Sequence, residues 1–240
     1  MTTPAIQWAA LVLCAIGAII RIPGVRQGHG RTIFTALVLL TIAIALSIHL
    51  VYETVDGLLG GINIANLLLR LLLYAVFVLL GVRTAAAFDS PVAHRLVAGP
   101  LGIGILVATV AATLYFFVAS ELPGSSTGLS AFEDQDTVRQ YAAVGRLYPG
   151  YIAACLLIPT VASMLAARSR LSHRIACALL GSAFLLVVVF VVLTLTPAEL
   201  GRWEVILPFT AILLLVLGLC LIWLSHLRAR STRRRSNKLS

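Results

Sequence analysis

The sequence predicts an all-α, polytopic membrane protein with seven transmembrane helices. Hydrophobic residues make up 60% of its 240 residues and charged residues only 11%, whereas soluble domains carry about 25% charged residues. Seven apolar stretches also reach the roughly 20 residues that a helix needs to cross a bilayer. The predicted spans are 4–22, 33–52, 62–82, 96–119, 148–167, 175–195 and 205–224.

Each predicted span is a run of Leu, Ile, Val, Ala and Phe with few polar interruptions. Such a helix is apolar on all sides, as expected where lipid and other helices surround it. The first span has no basic segment before it and no small-residue cleavage site, so we expect an uncleaved helix. Most connections are short, which favours sequential antiparallel helices in one bundle over residues 1–227.

The charge of the connections alternates in sign along the chain. Of the 18 basic residues, 14 lie in the first, third and fifth connections and in the tail, whereas eight of the nine acidic residues lie in the connections between them. Short basic connections stay cytoplasmic, so we predict the N-terminus outside and the C-terminus in the cytoplasm. The net charge of +9 therefore reflects topology, and no nucleic-acid partner is expected.

The predicted cytoplasmic tail, residues 228–240, holds six basic residues. Basic residues beside a membrane attract anionic lipid headgroups, each contributing about 1 kcal/mol. The tail therefore either binds anionic headgroups or serves only as a positively charged anchor that stops translocation.

The fourth connection, 120–147, is predicted to lie outside and to contain one short helix. Ser130 and Glu133 match a capping box, which predicts a helix over 131–145 after a segment rich in Gly, Ser and Pro. Tyr141 is expected to rest on the membrane interface. This helix is either a lid over an outward-facing cavity or a packed surface helix.

Arg70 lies inside the third span, about 12 Å of helix rise from its outer end. A charge at mid-bilayer costs about 2.5–3.5 kcal/mol and normally faces the bundle interior beside a partner. Two polar stripes with helical spacing lie near it, one on each side of a tight turn. The stripe on the third span comprises Asn63, Asn66, Arg70 and Tyr74, and the stripe on the second comprises His49, Glu53 and Asp56. The stripes are expected to meet, with Glu53 or Asp56 as the counter-ion of Arg70.

The seven stripe residues form the candidate ligand-binding site, an outward-facing polar pocket between spans 2 and 3. Arg70 would anchor an anionic group, the carboxylates would serve as counter-ions or proton acceptors, and the two asparagines would orient the ligand. The alternative is a structural network that fixes helix register, since hydrogen bonds between helices in lipid are worth about 0.6–2 kcal/mol.

We expect no catalytic site, metal site or cofactor, and therefore no enzyme. The four cysteines lie in four different spans with no Cys-x-x-Cys pair, and the motifs of phosphate-binding loops, zinc proteases and serine hydrolases are absent. No lysine lies in a span, which excludes a retinal Schiff base. No second histidine lies at the depth of His49, which argues against haem.

The junction of spans 2 and 3 carries a family resemblance. Tyr52, Asp56, Gly60 or Gly61, and Asn63 match a Tyr…Asp…Gly…Asn-Leu-Ala pattern, with Ile in place of the Leu. In this pattern the chain resembles small actinobacterial seven-span integral membrane proteins that are commonly labelled transporters, with function unknown. The resemblance implies a multi-pass protein of the bacterial plasma membrane, and it names no substrate.

These observations together predict a small-solute transporter or sensor with an outward-facing polar pocket. Its expected partners are the lipid bilayer, anionic headgroups at the tail and a small anionic solute. The alternative is a non-transporting scaffold or sensor that acts through an unidentified protein partner at the cytoplasmic connections and the basic tail.

Overall fold

The computed structural model describes residues 2–28, 30–132, 134–165, 171–196 and 200–236, with the backbone alone at 2–3 and 225–236. The regular secondary structure of these residues is helical, which confirms the predicted all-α fold. The helices are α1 (Thr2–Ile19), α2 (Ile22–Arg26), α3 (Arg31–Leu46), α4 (His49–Leu58), α5 (Ile64–Ala87), α6 (Pro91–Ala98), α7 (Pro100–Ala119), a 3-10 helix (Thr127–Phe132), α8 (Asp136–Leu165), α9 (Leu171–Thr194) and α10 (Trp203–Ser236).

Among the described residues, six helical segments are long and apolar enough to cross a membrane, and seven if one bent pair counts as a span. The six are Pro4–Arg26, Ile64–Ala87, Pro91–Ala119, Asp136–Leu165, Leu171–Thr194 and Trp203–Leu224. The chain is thus a multi-pass membrane protein by helix length and composition. The orientation in the membrane stays a prediction, and we use "outer end" and "inner end" for the bundle ends predicted to lie outside and in the cytoplasm.

The predicted second span, 33–52, is bent rather than straight. The axes of α3 and α4 meet at 92°. Ser47 donates its hydroxyl to the carbonyl of Ile44 at 2.6 Å, and Ile48 is extended (φ −86°, ψ 124°). A side chain that bonds its own backbone competes with the helical ladder, and α4 carries polar groups that suit an interface better than hydrocarbon. The stripe of His49, Glu53 and Asp56 therefore lies on a separate helix.

One helix, α8 (Asp136–Leu165), contains most of the predicted outer helix, 131–145, and the described part of the predicted fifth span, 148–167. α8 begins at Asp136 and continues for 30 residues through Pro149. A proline removes one backbone N–H, a loss that membrane helices tolerate where neighbouring groups satisfy the freed carbonyl. The predicted capping box does not start this helix, and its Glu133 lies outside the described residues.

The predicted boundary between the last span and the tail is also crossed by a helix. α10 runs for 34 residues to Ser236, a rise of about 51 Å. That length exceeds the roughly 30 Å of a bilayer core. Residues 237–240 of the predicted tail lie outside the described residues.

Six helices form a closed ring in the order α1, α3, α5, α8, α9 and α10, with α10 returning to α1. α7 lies outside the ring, against α8 and α5, and only 17% of its span is buried. Apolar side chains from all six helices form the core of the ring. Small residues let the helices approach closely: a Cβ added to Gly218 of α10 would lie 2.9 Å from Leu180 of α9.

Candidate functional site at the outer end of the bundle

Asp56 holds the turn between α4 and α5. Its carboxylate is fully buried and accepts the backbone N–H groups of Asn63 and Ala65, each at 3.0 Å. The first N–H groups of a helix have no intrahelical acceptor, and the positive end of the helix dipole favours a negative charge there. Asp56 therefore caps α5.

Asn63 ties this turn to the fourth connection. Its backbone is left-handed (φ 62°), a conformation that asparagine tolerates. Its buried side chain donates through Nδ2 to the carbonyl of Gly124 at 2.6 Å, and its Oδ1 accepts the N–H of Ser126 and the hydroxyl of Tyr52, both at 2.8 Å. One amide thus makes three contacts, two of them with a distant loop.

Two further hydrogen bonds hold the same loop. Ser125 donates its hydroxyl to the carboxylate of Asp56, and Thr127 shares a hydrogen bond of 2.8 Å with Nδ1 of His49. We call Asp56, Asn63 and Ser125 the latch. The latch connects the start of α5 to the loop, which is therefore held across the outer end of the bundle.

Arg70 lies two turns further along α5 than the latch residue Asn63. It is half-buried, and its Nε donates to Oδ1 of Asn66 at 3.2 Å while Nη1 donates to the carbonyl of Ala142 at 3.4 Å. The guanidinium lies 4.0 Å from the ring centre of Tyr141, a cation–π distance. The hydroxyl of Tyr141 donates to the same Oδ1 of Asn66 at 3.1 Å.

The prediction that Glu53 or Asp56 is the counter-ion of Arg70 is wrong. Asp56 uses its carboxylate on the latch and the α5 cap, and Glu53 lies 3.2 Å from Nε2 of His49 on the exposed side of α4. Among the described residues, no carboxylate lies within 4 Å of the Arg70 guanidinium. The physical reason is that backbone N–H groups at a helix start satisfy a buried carboxylate as well as a guanidinium does.

Gly145 of α8 makes the space that Arg70 occupies. A Cβ added at this position would lie 1.5 Å from Nη1 of Arg70, so no other residue fits beside the observed guanidinium. Pro149, four residues later, lacks the N–H that would bond the Gly145 carbonyl. The arginine therefore lies against a notch in α8 formed by a glycine and a proline.

Tyr74 is buried in the bundle, one turn beyond Arg70 on α5. Its hydroxyl shares a hydrogen bond of 2.8 Å with Thr113 of α7, and its ring meets that of Tyr148 edge-on at 5.9 Å between centres. Tyr74 therefore joins α5 to α7 and α8 and does not contact the loop.

The structure divides the seven predicted site residues into four groups. Asp56 and Asn63 belong to the latch, Asn66 and Arg70 contact Tyr141, and Tyr74 bonds Thr113 of α7. His49 and Glu53 form an exposed pair, with side-chain exposures of 72% and 52%. The buried side-chain nitrogens and oxygens of the described residues all have hydrogen-bond partners. Its role in ligand binding stays a prediction.

The sequence prediction missed three groups at the site. Tyr141, expected at the membrane interface, is fully buried, and neither Gly145 nor the loop residues were expected to contact the stripes. The spacing of Tyr141, Gly145 and Pro149 at four-residue intervals on one helix is a signal that was available. Among the described residues, no group of three or more His, Cys, Asp or Glu side chains could hold a metal ion.

The pocket between spans 2 and 3 stays a prediction, and the loop that the latch holds lies beside its residues Asp56 and Asn63. At the inner end, a groove of about 880 Å³ runs between α6 and α8.

The chain matches no protein-family model, no curated protein and no solved structure. The resemblance to the actinobacterial membrane proteins therefore gains no support from these comparisons, and the argument for function depends on the geometry of the site.

Proposed function

We propose that this protein is a small-solute transporter or sensor that binds an anionic group at Arg70, beneath the loop that the latch holds. One observation carries the proposal: Arg70 is half-buried at the outer end of the bundle, with no carboxylate of the described residues within 4 Å. A charge in this position is costly unless a partner balances it. An anionic ligand would supply that partner.

The hydrogen bonds of Arg70 support the choice of an anion. A guanidinium has five N–H donors in a planar fork that matches a carboxylate or a phosphate. Nε and Nη1 donate to Asn66 and Ala142 at 3.2 and 3.4 Å, and the side chain of Tyr141 also contacts the guanidinium. The ring of Tyr141 stabilises the cation without neutralising it. The side chain is thus held in place with donors to spare.

The hydrogen bonds of the outer loop support the proposal that the site is gated. Side-chain hydrogen bonds hold the segment around Gly124–Thr127 to α4 and to the start of α5 at the outer end, where a solute would enter. Loops that close over a site commonly exclude water and commit the bound ligand. Opening would require the loss of these bonds while the ring of helices stays intact.

Thermal unfolding in detergent tests the anion site. Wild type and the variants Arg70→Gln and Arg70→Lys are compared with acetate, benzoate, phosphate and sulfate, with glucose as the neutral solute. A ligand at 100 times its dissociation constant should stabilise the wild type by about 2.7 kcal/mol. Arg70→Gln should lose that stabilisation, and Arg70→Lys should keep only part of it.

Arg202→Gln is the matched control, because Arg202 is an exposed arginine at the same end. It should respond to anions as the wild type does. The proposal fails if no anion shifts the wild type, or if an anion stabilises wild type and Arg70→Gln equally. Uptake of the stabilising anion into proteoliposomes then distinguishes a transporter from a sensor, and uptake unchanged by Arg70→Gln contradicts the transport role.

The helical extension of α10 favours a second candidate, a non-transporting scaffold or sensor that acts through a protein partner. This helix continues past the apolar segment to Ser236 and would project from the membrane on the predicted cytoplasmic side. Deletion of residues 231–240 distinguishes the two candidate functions. A partner-binding protein should lose its function, whereas a transporter should keep uptake of the anion.

A further inference from the structure

The groove at the inner end is apolar along most of its length. It has a volume of about 880 Å³ and lies between α6, the end of α5 and α8. On α8 its lining extends from Tyr151 to Ser163, a rise of about 18 Å. The side chains between these residues are largely apolar, so the groove offers an acyl chain a continuous contact surface.

The groove opens sideways, towards the lipid. Ile158 on one wall is 78% exposed, and Val92 on the other is 67% exposed. Both belong to segments that are apolar enough to span a membrane. At this depth the bilayer is the medium that contacts the opening, and a lipid chain is the ligand that can enter from it.

Three polar residues of the groove lie at its inner end. Ser90 and Asp89 precede α6, and Ser163 lies near the end of α8. Arg174 lies close by, since its Nε donates to the carbonyl of Met164 at 3.1 Å. This bond places Arg174 beside Met164, one residue along α8 from the lining residue Ser163.

The balance of charge at this end favours an anionic ligand. Arg95 is an exposed residue on α6, four residues after Pro91 and therefore on the same helix face as that lining residue. A long arginine side chain there reaches towards the headgroup region while its stem stays on apolar surface. Arg95 and Arg174 outnumber Asp89, which is the acidic residue that lines the groove.

From this geometry we infer that the groove is a binding site for an anionic phospholipid, with an acyl chain between α6 and α8 and the phosphate beside Arg174 and Arg95. The apolar length of the groove suits an acyl chain, its lateral opening admits that chain from the bilayer, and its cationic end suits the phosphate. This site is separate from Arg70 and does not depend on the proposed function.

Lipid retention measured by native mass spectrometry tests this inference. Protein purified in detergent is exchanged into mixed micelles that contain equal amounts of palmitoyl-oleoyl phosphatidylglycerol and phosphatidylcholine. The wild type should retain one lipid per chain, with a preference for phosphatidylglycerol. Arg174→Gln, a substitution at an exposed residue, should reduce that preference about fivefold.

A second variant tests the acyl chain. Ala154→Trp places a large side chain in the groove and should abolish retention of both lipids. Ala108→Trp is the matched control, because Ala108 is exposed on α7 away from the groove, and it should retain lipid as the wild type does. The inference is wrong if Ala154→Trp retains as much lipid as Ala108→Trp, or if the wild type retains both headgroups equally. Added inorganic phosphate should not displace the lipid, and displacement by phosphate alone would mean that the site takes a free anion instead.

Discussion

Arg21 and Arg70 both lie within the bundle, and their surroundings differ. Arg21 is 4% exposed and donates through Nη2 to the carbonyl of Leu219 at 2.9 Å and through Nη1 to that of Gly17 at 3.2 Å. Arg70 is half-buried, and its two hydrogen bonds are 3.2 and 3.4 Å long. Neither has a carboxylate of the described residues within 4 Å.

The comparison teaches that a missing counter-ion does not by itself identify a binding site. Arg21 joins α1 to α10, which closes the ring, and its guanidinium lies 5.9 Å from the ring centre of Trp223. Its burial leaves no room for a ligand. Arg70 instead has spare donors at the outer end, below a loop held by hydrogen bonds. The availability of those donors separates a structural arginine from a candidate ligand-binding one.

The largest expected effect on stability comes from Arg21. Arg21→Ala removes two hydrogen bonds from a charged donor and leaves a space between α1 and α10, so we expect a loss of about 3 kcal/mol. Thermal unfolding in detergent measures it, with Arg83→Ala, at an exposed position, as the control. Equal melting temperatures for the two variants would mean that Arg21 does not hold the ring closed.

The latch should have the next largest effect. Asp56→Ala leaves two N–H groups at the start of α5 without their acceptor and releases Ser125, so we expect a loss of about 2 kcal/mol. Limited proteolysis should also cut the outer loop faster. Glu121→Ala, at an exposed acidic residue in the same connection, is the control for the change in charge. An outer loop as resistant to proteolysis as in the wild type would contradict the role of the latch.

Gly145→Ala should separate stability from binding. The new Cβ overlaps the position of the Arg70 Nη1 atom, so the guanidinium must move, while alanine in a helix is favoured over glycine by about 0.5–1 kcal/mol. We expect a stability change within about 1 kcal/mol and loss of the stabilisation by anions. Gly104→Ala is the control, because its Cβ would meet nothing within 4 Å. Unchanged anion stabilisation in Gly145→Ala would mean that the observed position of Arg70 is not the binding position.

The fold class was predictable from the sequence because hydropathy over about 20 residues reports directly on membrane spans. The bend in the second span was not, since apolar residues continue through Ser47 and Ile48 and the break depends on local backbone bonds. The start of α8 was misplaced because Ser130 and Glu133 match a capping box, which is a signal for a helix start.

The candidate site was predictable only in part. The tight turn implied that the two stripes meet, and Asp56 does accept the N–H of Asn63. Asn66 was predictable as a neighbour of Arg70, because it lies four residues away on the same helix. Ala142 and Tyr141 were not predictable as partners, because they are far away in the sequence. Helical spacing identifies which residues share a face, but the helix that packs against this face is decided by the ring as a whole.

The smallest expected effect comes from Glu53, and it sharpens the comparison of the two arginines. Glu53 and His49 form an exposed pair at 3.2 Å, and exposed pairs four residues apart on a helix contribute less than about 0.5 kcal/mol. Glu53→Gln should therefore barely change thermal unfolding and should leave anion stabilisation as in the wild type, with Thr54→Ala on the same exposed face as the control. A clear gain or loss of anion stabilisation in Glu53→Gln would mean that its carboxylate acts on Arg70 after all. The guanidinium would then be a paired charge, and its spare donors would no longer point to a ligand.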